Sequence, residues 1–68
     1  MKVAFAQKLR ELRIEAGYSQ EKLAEVFHVG RATIGHWETG LQQPSLEVIA
    51  DIAKFFNVST DYLLGLTD

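Results

Sequence analysis

The sequence contains no cysteine, which excludes both a disulfide framework and a thiolate metal site. No apolar run approaches the roughly 18 residues of a membrane span, and the N-terminal stretch lacks the apolar core of a signal peptide. We therefore expect a soluble, cytoplasmic chain with no membrane partner. At 68 residues, 47% of them apolar, it must be held together by dense helix packing alone.

Positive charge is also scarce. Nine Asp and Glu residues outnumber seven Lys and Arg residues, which gives a net charge of −2. Six of the seven basic residues lie in residues 1–40, and only Lys54 follows them. A polyanion, if one binds, is therefore expected at the first part of the chain.

No stretch shows the sustained alternation of a strand, and apolar residues instead recur at helical spacing. Ser19, Ser45 and Ser59 are typical N-caps, while Gly17 and Gly40 are typical of helix ends. These signals predict an all-α fold of five short helices around one core, a single domain over residues 1–68. The predicted core-facing residues are Val3, Phe5, Leu9, Leu12, Ala16, Leu23, Ala24, Phe27, Leu46, Ile49, Ile52, Ala53, Phe56, Tyr62, Leu63 and Leu64.

The third predicted helix, over Arg31–Thr39, follows a tight break at residues 28–30. Placed at 100° per residue around the helix axis, its residues fall on two different sides. One side carries Ile34, Trp37 and Glu38, and Ala32 and His36 lie opposite them. Thr33 and Gly35 lie on the flanks, and Arg31 lies at the N-terminal edge. Two short helices joined by such a turn, the second with a small exposed face, form a helix-turn-helix unit, here at about residues 19–39. Small side chains allow the helix backbone to enter a DNA major groove.

A longer pattern of spaced residues extends over about residues 7–65. Its elements are Leu9, Arg13, Gly17-x-Ser19-Gln20, Leu23-Ala24, Val29, Ile34, Trp37-Glu38, Gly40, Pro44-Ser45-Leu46 and Leu63-Leu64. This pattern resembles the phage-repressor/Cro-type (XRE family) helix-turn-helix DNA-binding domain. The resemblance implies a lambda-repressor-like bundle and a sequence-specific regulator of transcription, a repressor that acts by occupying double-stranded DNA. It also implies a homodimer on a symmetric operator, with half-sites about 10 bp apart or a multiple of that.

The resemblance implies roles for individual residues. Arg31 suits guanine O6 and N7 or a phosphate, and Ala32 and Thr33 suit a thymine methyl group. The implied base-reading set is Arg31, Ala32, Thr33 and His36. The implied DNA-backbone set is Ser19, Gln20, Gly30, Leu41, Gln42 and Gln43, acting through main-chain N–H groups and amide side chains, with a base edge as an alternative for Gln20. Arg13 and Glu38 are expected to form a structural ion pair between the first and third helices.

Three features depart from the pattern: the turn at His28 and Gly30, the glycine at Gly35, and the loop GLQQPS. His28 is expected in a left-handed turn, and Gly30 caps the third helix without a phosphate-bonding hydroxyl. Gly35 lies inside a short helix, at a cost of about 1 kcal/mol relative to alanine. The loop GLQQPS lacks lysine and arginine. We therefore expect weak non-specific binding and a shallow salt dependence, with a log–log slope of about −2 to −4 per monomer.

Apolar residues off the main stripe suggest a self-association surface made of Val48, Phe55, Leu64 and Leu66. Polar replacement of Phe55 and Leu66 is expected to leave the fold intact. The alternative function is a protein-interaction module, such as an antitoxin-like or anti-repressor partner, that uses this surface. Enzyme activity is not expected, because no nucleophile–base pair, carboxylate pair or phosphate loop is present. No cofactor, metal or small-molecule substrate is expected either, since His28 and His36 lie on different elements without ligand-spaced carboxylates.

Overall fold

Five α-helices account for the fold in the computed structural model, which describes residues 4–67. They are α1 (Phe5–Glu15), α2 (Gln20–Phe27), α3 (Arg31–Thr39), α4 (Leu46–Phe55) and α5 (Thr60–Leu64). Within the described range no strand is present, so the predicted all-α, five-helix architecture is confirmed. Val3, one of the predicted core residues, lies outside the described residues. No helix in residues 4–67 is long and apolar enough to cross a membrane.

The helix ends follow the local signals. Each of the three predicted serine caps accepts a hydrogen bond from the backbone N–H three residues later. The pairs are Ser19 with Lys22 at 3.0 Å, Ser45 with Val48 at 3.3 Å and Ser59 with Tyr62 at 3.0 Å. Such a cap is worth about 1 kcal/mol, because it satisfies a donor that the helix itself leaves unpaired. His28 ends α2 in the left-handed conformation, at φ 57° and ψ 42°, as predicted.

All five helices contribute to one core, and α3 packs against both α1 and α2. The buried apolar residues are Phe5, Leu9, Leu23, Ala24, Ile34, Trp37, Ile49, Ile52, Ala53 and Leu63. Leu12, Phe27, Phe56 and Leu64 pack against this core from its edge. The prediction that Ala16 and Leu46 face the core is wrong. Ala16 is exposed because it follows the last turn of α1, and Leu46 is 78% exposed. Leu46 is aligned with the buried stripe, but it lies in the first turn of α4, one turn before burial begins at Ile49.

The two ends of the fold meet at Gly65. The Ala4 N–H donates to the Leu64 carbonyl at 3.1 Å, which brings the residue before α1 against the end of α5. Gly65 has a φ of +77°, and a Cβ atom placed on it would lie 2.8 Å from the Cβ of Ala4. Gly17 has a similar φ of +79°, but a Cβ atom placed there would have nothing within 4 Å. The two glycines therefore differ in steric room but not in backbone conformation.

We predict that Gly65→Ala destabilises the fold more than Gly17→Ala does. Both variants place a side chain in a left-handed conformation, which costs about 1–2 kcal/mol. Only Gly65→Ala adds a clash at the α1–α5 contact, for a further loss of about 1–3 kcal/mol. Urea unfolding of both variants measures the difference, and equal losses would contradict the close approach at Gly65.

Candidate nucleic-acid interface

The segment from α2 to α3 has the geometry of a helix-turn-helix unit. Residues 28–30 connect the two helices, and the left-handed His28 turns the chain sharply. The N–H of Val29 then donates to the Ala24 carbonyl at 3.0 Å, while the Val29 side chain packs against the core. This anchored turn fixes the direction in which α3 leaves α2.

The two sides of α3 are separated by burial as the sequence pattern indicates. Ile34, Trp37 and Glu38 are buried, with 0%, 5% and 9% of their surface exposed. On the other side, Arg31 and Ala32 are exposed, and Thr33 and His36 are half-buried. The outward surface of α3 is therefore narrow, with one guanidinium and one imidazole beside small side chains. The assignment of these four residues to base reading stays a prediction.

A buried ion pair joins α1 to α3. The Arg13 Nε donates to Glu38 Oε2 at 2.6 Å, and the Arg13 Nη2 donates to Glu38 Oε1 at 3.1 Å. The Arg13 Nη1 also donates to the Tyr18 carbonyl in the α1–α2 connection, at 2.9 Å. Only 13% of the Arg13 side chain and 3% of the Glu38 side chain are exposed. The structure thus brings together the two residues expected to pair, and it shows that Arg13 also holds the chain ahead of α2.

Gln20 joins the same network, which the sequence pattern did not indicate. Its Nε2 donates to Glu38 Oε1 at 3.2 Å, so the carboxylate accepts hydrogen bonds from both α1 and α2. The amide lies across Gly35, where the Cβ atom of an alanine would be 3.9 Å from Gln20 Nε2. Gln20 is the first residue of α2 and is half-buried. One expected DNA-backbone residue is therefore fixed in place by a buried residue of α3.

The start of α2 offers main-chain donors. The Ser19 hydroxyl oxygen accepts the Lys22 N–H, so the Ser19 side chain serves as a cap. The N–H groups of Gln20 and Glu21 precede the first intrahelical hydrogen bonds and lie at the positive end of the helix dipole. Gly30 is the N-cap residue of α3 and has no side chain that could cap the helix. These positions suit contacts to an anion through the backbone rather than through side chains.

One main-chain donor of the loop between α3 and α4 is engaged within the chain. The N–H of Gln42 donates to the His36 carbonyl at 3.2 Å and so closes the end of α3. The assignment of Leu41, Gln42 and Gln43 to contacts with the DNA backbone stays a prediction. The side chains of Leu41, Gln42 and Gln43 are exposed.

One basic residue that sequence reasoning did not assign lies beside this loop. Arg10 is exposed on α1 and lines an open groove together with Thr39, Gly40 and Gln43. The groove separates the first turns of α1 from the C-terminal end of α3. The only sequence signal for Arg10 was its charge, which it shares with other residues of the same region. The fold thus adds a cation to a loop that has none of its own.

Of the four residues suggested for self-association, Phe55 and Leu66 are exposed, by 40% and 50%, whereas Val48 and Leu64 are half-buried against the core. Their role in self-association stays a prediction. Phe55 lies edge-on to Tyr18, Phe27 and Phe56, with ring centroids 5.6, 5.5 and 5.0 Å away.

The expectation that polar replacement of Phe55 and Leu66 leaves the fold intact stays a prediction. The three edge-to-face contacts of Phe55 indicate that its replacement has a cost in stability.

We predict that Arg13→Met lowers the free energy of unfolding by about 3–5 kcal/mol, because it leaves the Glu38 carboxylate buried without its cation. A chain of this size is stable by only about 3–10 kcal/mol, so the effect is large. The double variant Arg13→Met with Glu38→Met removes both charges and should recover most of the loss. Urea unfolding at low temperature measures both. A loss below about 1 kcal/mol for Arg13→Met would show that the pair has little structural weight.

Comparison with known proteins agrees with this geometry. The family model described as helix-turn-helix matches residues 9–63. The chain is 43% identical over 61 residues to the transcriptional activator BcrR of Enterococcus faecalis, covering 90% of this chain and 30% of BcrR. It is 41% identical over 54 residues to the cryptic phage CTXphi transcriptional repressor RstR of Vibrio cholerae, covering 79% of this chain and 49% of RstR.

The solved structures include the P22 c2 repressor protein in complex with a synthetic operator. It superposes with a TM-score of 0.80 at 27% identity, over 88% of this chain and 91% of that one. The chain spans half or less of the length of the two curated relatives. These relatives are named as regulators of transcription and not as enzymes. The chain belongs to the helix-turn-helix family, in the group of the phage repressors and Cro.

Proposed function

We propose that this chain is the double-stranded-DNA-binding unit of a transcriptional regulator, a repressor that binds a symmetric operator as a homodimer. In this proposal α3 enters the major groove and the regulator acts by occupying its site. The observation that carries the proposal is the narrow outward face of α3, held outward by the buried side that packs against the core. A helix presenting such a face fits a groove about 12 Å wide.

The outward residues of α3 match the chemistry of base edges. Arg31 has the paired donors that suit guanine O6 and N7. Ala32 and the Thr33 methyl group suit a thymine methyl, and His36 adds a hydrogen-bonding imidazole one turn further on. We assign sequence reading to these four residues.

We assign contacts to the sugar-phosphate backbone to two places, one before α3 and one after it. At the start of α2, the free N–H groups of Gln20 and Glu21 suit one phosphate. Beside the C-terminal end of α3, Arg10 together with Gln43 suits a second phosphate across the open groove. These contacts position the domain but carry no sequence information.

Homodimer formation is proposed because one domain offers few cations. Two copies on half-sites about one helical turn apart would double the contacts and match the twofold symmetry of an operator. The alternative function, a protein-interaction module, is less well supported. Of the surface that it would use, Val48 and Leu64 pack against the core and Phe55 is engaged with three rings.

The experiment that tests the proposal is binding-site selection from a random DNA duplex pool at about 100 mM salt, where counterion effects do not dominate. We expect enrichment of a symmetric site. If the folded chain enriches no sequence, the proposed function is wrong for this chain.

We predict that Arg31→Ala and Arg10→Ala weaken binding in different ways. Arg31→Ala should lose about 1–3 kcal/mol on the selected site and relax the preference at one base pair, because a base contact is lost. Arg10→Ala should weaken binding equally on selected and scrambled duplexes and reduce the salt slope by about 1.

Lys54→Ala, which removes the cation of α4, is the matched control and should change neither the base-pair preference nor the salt slope. Fluorescence anisotropy at several salt concentrations measures all three variants. If Arg31→Ala lowers the affinity equally for the selected and the scrambled duplex, the assignment of Arg31 to a base is contradicted.

We further predict a log–log salt slope of about −2 to −4 per monomer for the unmodified chain, because few cations are available to displace counterions. The same anisotropy titrations give this slope. A slope much steeper than −4 would mean that phosphate contacts outnumber those assigned.

A further inference from the structure

The longest uncharged run of the sequence connects α3 to α4. Eight residues, 39–46, separate Glu38 from Glu47, and none of them carries a charge. Within this run Leu41 is 71% exposed and Leu46 is 78% exposed, more than any other large apolar residue within residues 4–67. Leucines exposed to this extent add little to the stability of a single chain, because the hydrophobic effect depends on the area removed from water. Their apolar surface is therefore available to a partner.

The uncharged run is held in place at both ends. The Gln42 N–H donates to the His36 carbonyl at 3.2 Å, and Ser45 caps α4. Leu41 and Leu46 are five residues apart, so their Cα atoms lie within about 18 Å of each other. A surface that is fixed in this way loses little conformational freedom when a partner covers it.

The other exposed apolar residues have different surroundings. Ile14 lies one helical turn after Arg10 and next to Glu15, and all three are exposed. Phe55 and Leu66 are 40% and 50% exposed, and Phe55 also packs edge-on against three rings. Among the described residues, only the two leucines of the uncharged run combine an exposure above 70% with a stretch of chain that carries no charge.

We propose that Leu41, Gln42 and Leu46 form the surface through which two copies of this chain contact each other on DNA. This inference rests on the proposed function, which puts two copies on neighbouring half-sites. A twofold contact brings a surface against the same surface of the second copy, so a charged residue there would face a like charge. The uncharged run avoids this repulsion. A glutamine side chain is both donor and acceptor, so Gln42 can also pair with its own copy across the twofold axis.

The size of the domain limits this contact. Half-sites one helical turn apart place the centres of two copies about 34 Å apart, whereas the longest extent of the domain is 28 Å. Neighbouring copies therefore meet through projecting side chains and not through broad faces. Two leucines and a glutamine bury far less than the roughly 800 Å² per partner of a stable interface. The chain is thus monomeric in solution and self-associates on DNA, where neighbouring half-sites raise its effective concentration.

The experiment measures a cooperativity factor, defined as the affinity for a second half-site beside an occupied one divided by the affinity for an isolated half-site. Gel-shift titrations of duplexes that carry one or two selected half-sites give both affinities. For the unmodified chain we expect a factor of about ten. Insertion of about 5 bp between the half-sites turns the second copy to the opposite face of the DNA and should reduce the factor to about 1.

Leu46→Gln is the decisive variant, because Leu46 is exposed and has no assigned contact with DNA. It should lower the cooperativity factor about threefold to tenfold and leave the affinity for an isolated half-site unchanged. Leu41→Gln should lower the factor in the same way, and any effect on a single half-site divides out of the ratio. Ile14→Gln is the matched control, an exposed apolar residue outside the uncharged run, and should not change the factor.

An unchanged factor for Leu46→Gln, or an equal fall for Leu66→Gln, would overturn the inference. So would a stable dimer of the unmodified chain without DNA at micromolar concentration, measured by sedimentation equilibrium. If the chain selects a sequence but binds two half-sites without cooperativity, this inference fails while sequence-specific DNA binding stands. If it selects no sequence at all, the proposed function fails and the inference fails with it.

Discussion

The buried pair of Arg13 and Glu38 is the interaction on which the arrangement of the helix-turn-helix unit depends. It joins α1 to α3 through two hydrogen bonds, and Arg13 also holds the Tyr18 carbonyl ahead of α2. In a chain without disulfides, this pair adds a directional contact to the apolar packing of the nine-residue α3. The geometry of a bidentate ion pair tolerates little displacement, and an unpaired carboxylate would be costly to bury.

This pair also connects the core to the surface that we assign to DNA. Glu38 lies on the buried side of α3, yet it accepts a hydrogen bond from Gln20 at the exposed start of α2. Gly35 leaves room for the Gln20 side chain to cross α3. The outward residues of α3 are thus supported from beneath by packing and from the side by a polar network. A recognition surface with few cations gains from such preorganisation, because less side-chain freedom is lost on binding.

Much of the fold could be predicted from the sequence because its signals are local. The serine caps, the left-handed His28 and the two sides of α3 each depend on a few neighbouring residues. Leu46 was misplaced because helical spacing gives the direction of a side chain but not the point along α4 where burial begins. The rings around Phe55 and the bond between Gln20 and Glu38 join residues far apart in the chain, so no local pattern could reveal them. For the same reason the groove position of Arg10 required the fold.

The central claim is that α3 and the start of α2 meet DNA. An NMR titration of the ¹⁵N-labelled chain with its selected duplex, compared with a scrambled duplex, tests this most directly. We predict that the sequence-dependent shift changes concentrate at Gln20, in α3 from Arg31 to His36 and in the loop at residues 41–43. Changes concentrated instead on α4 and α5 would contradict it.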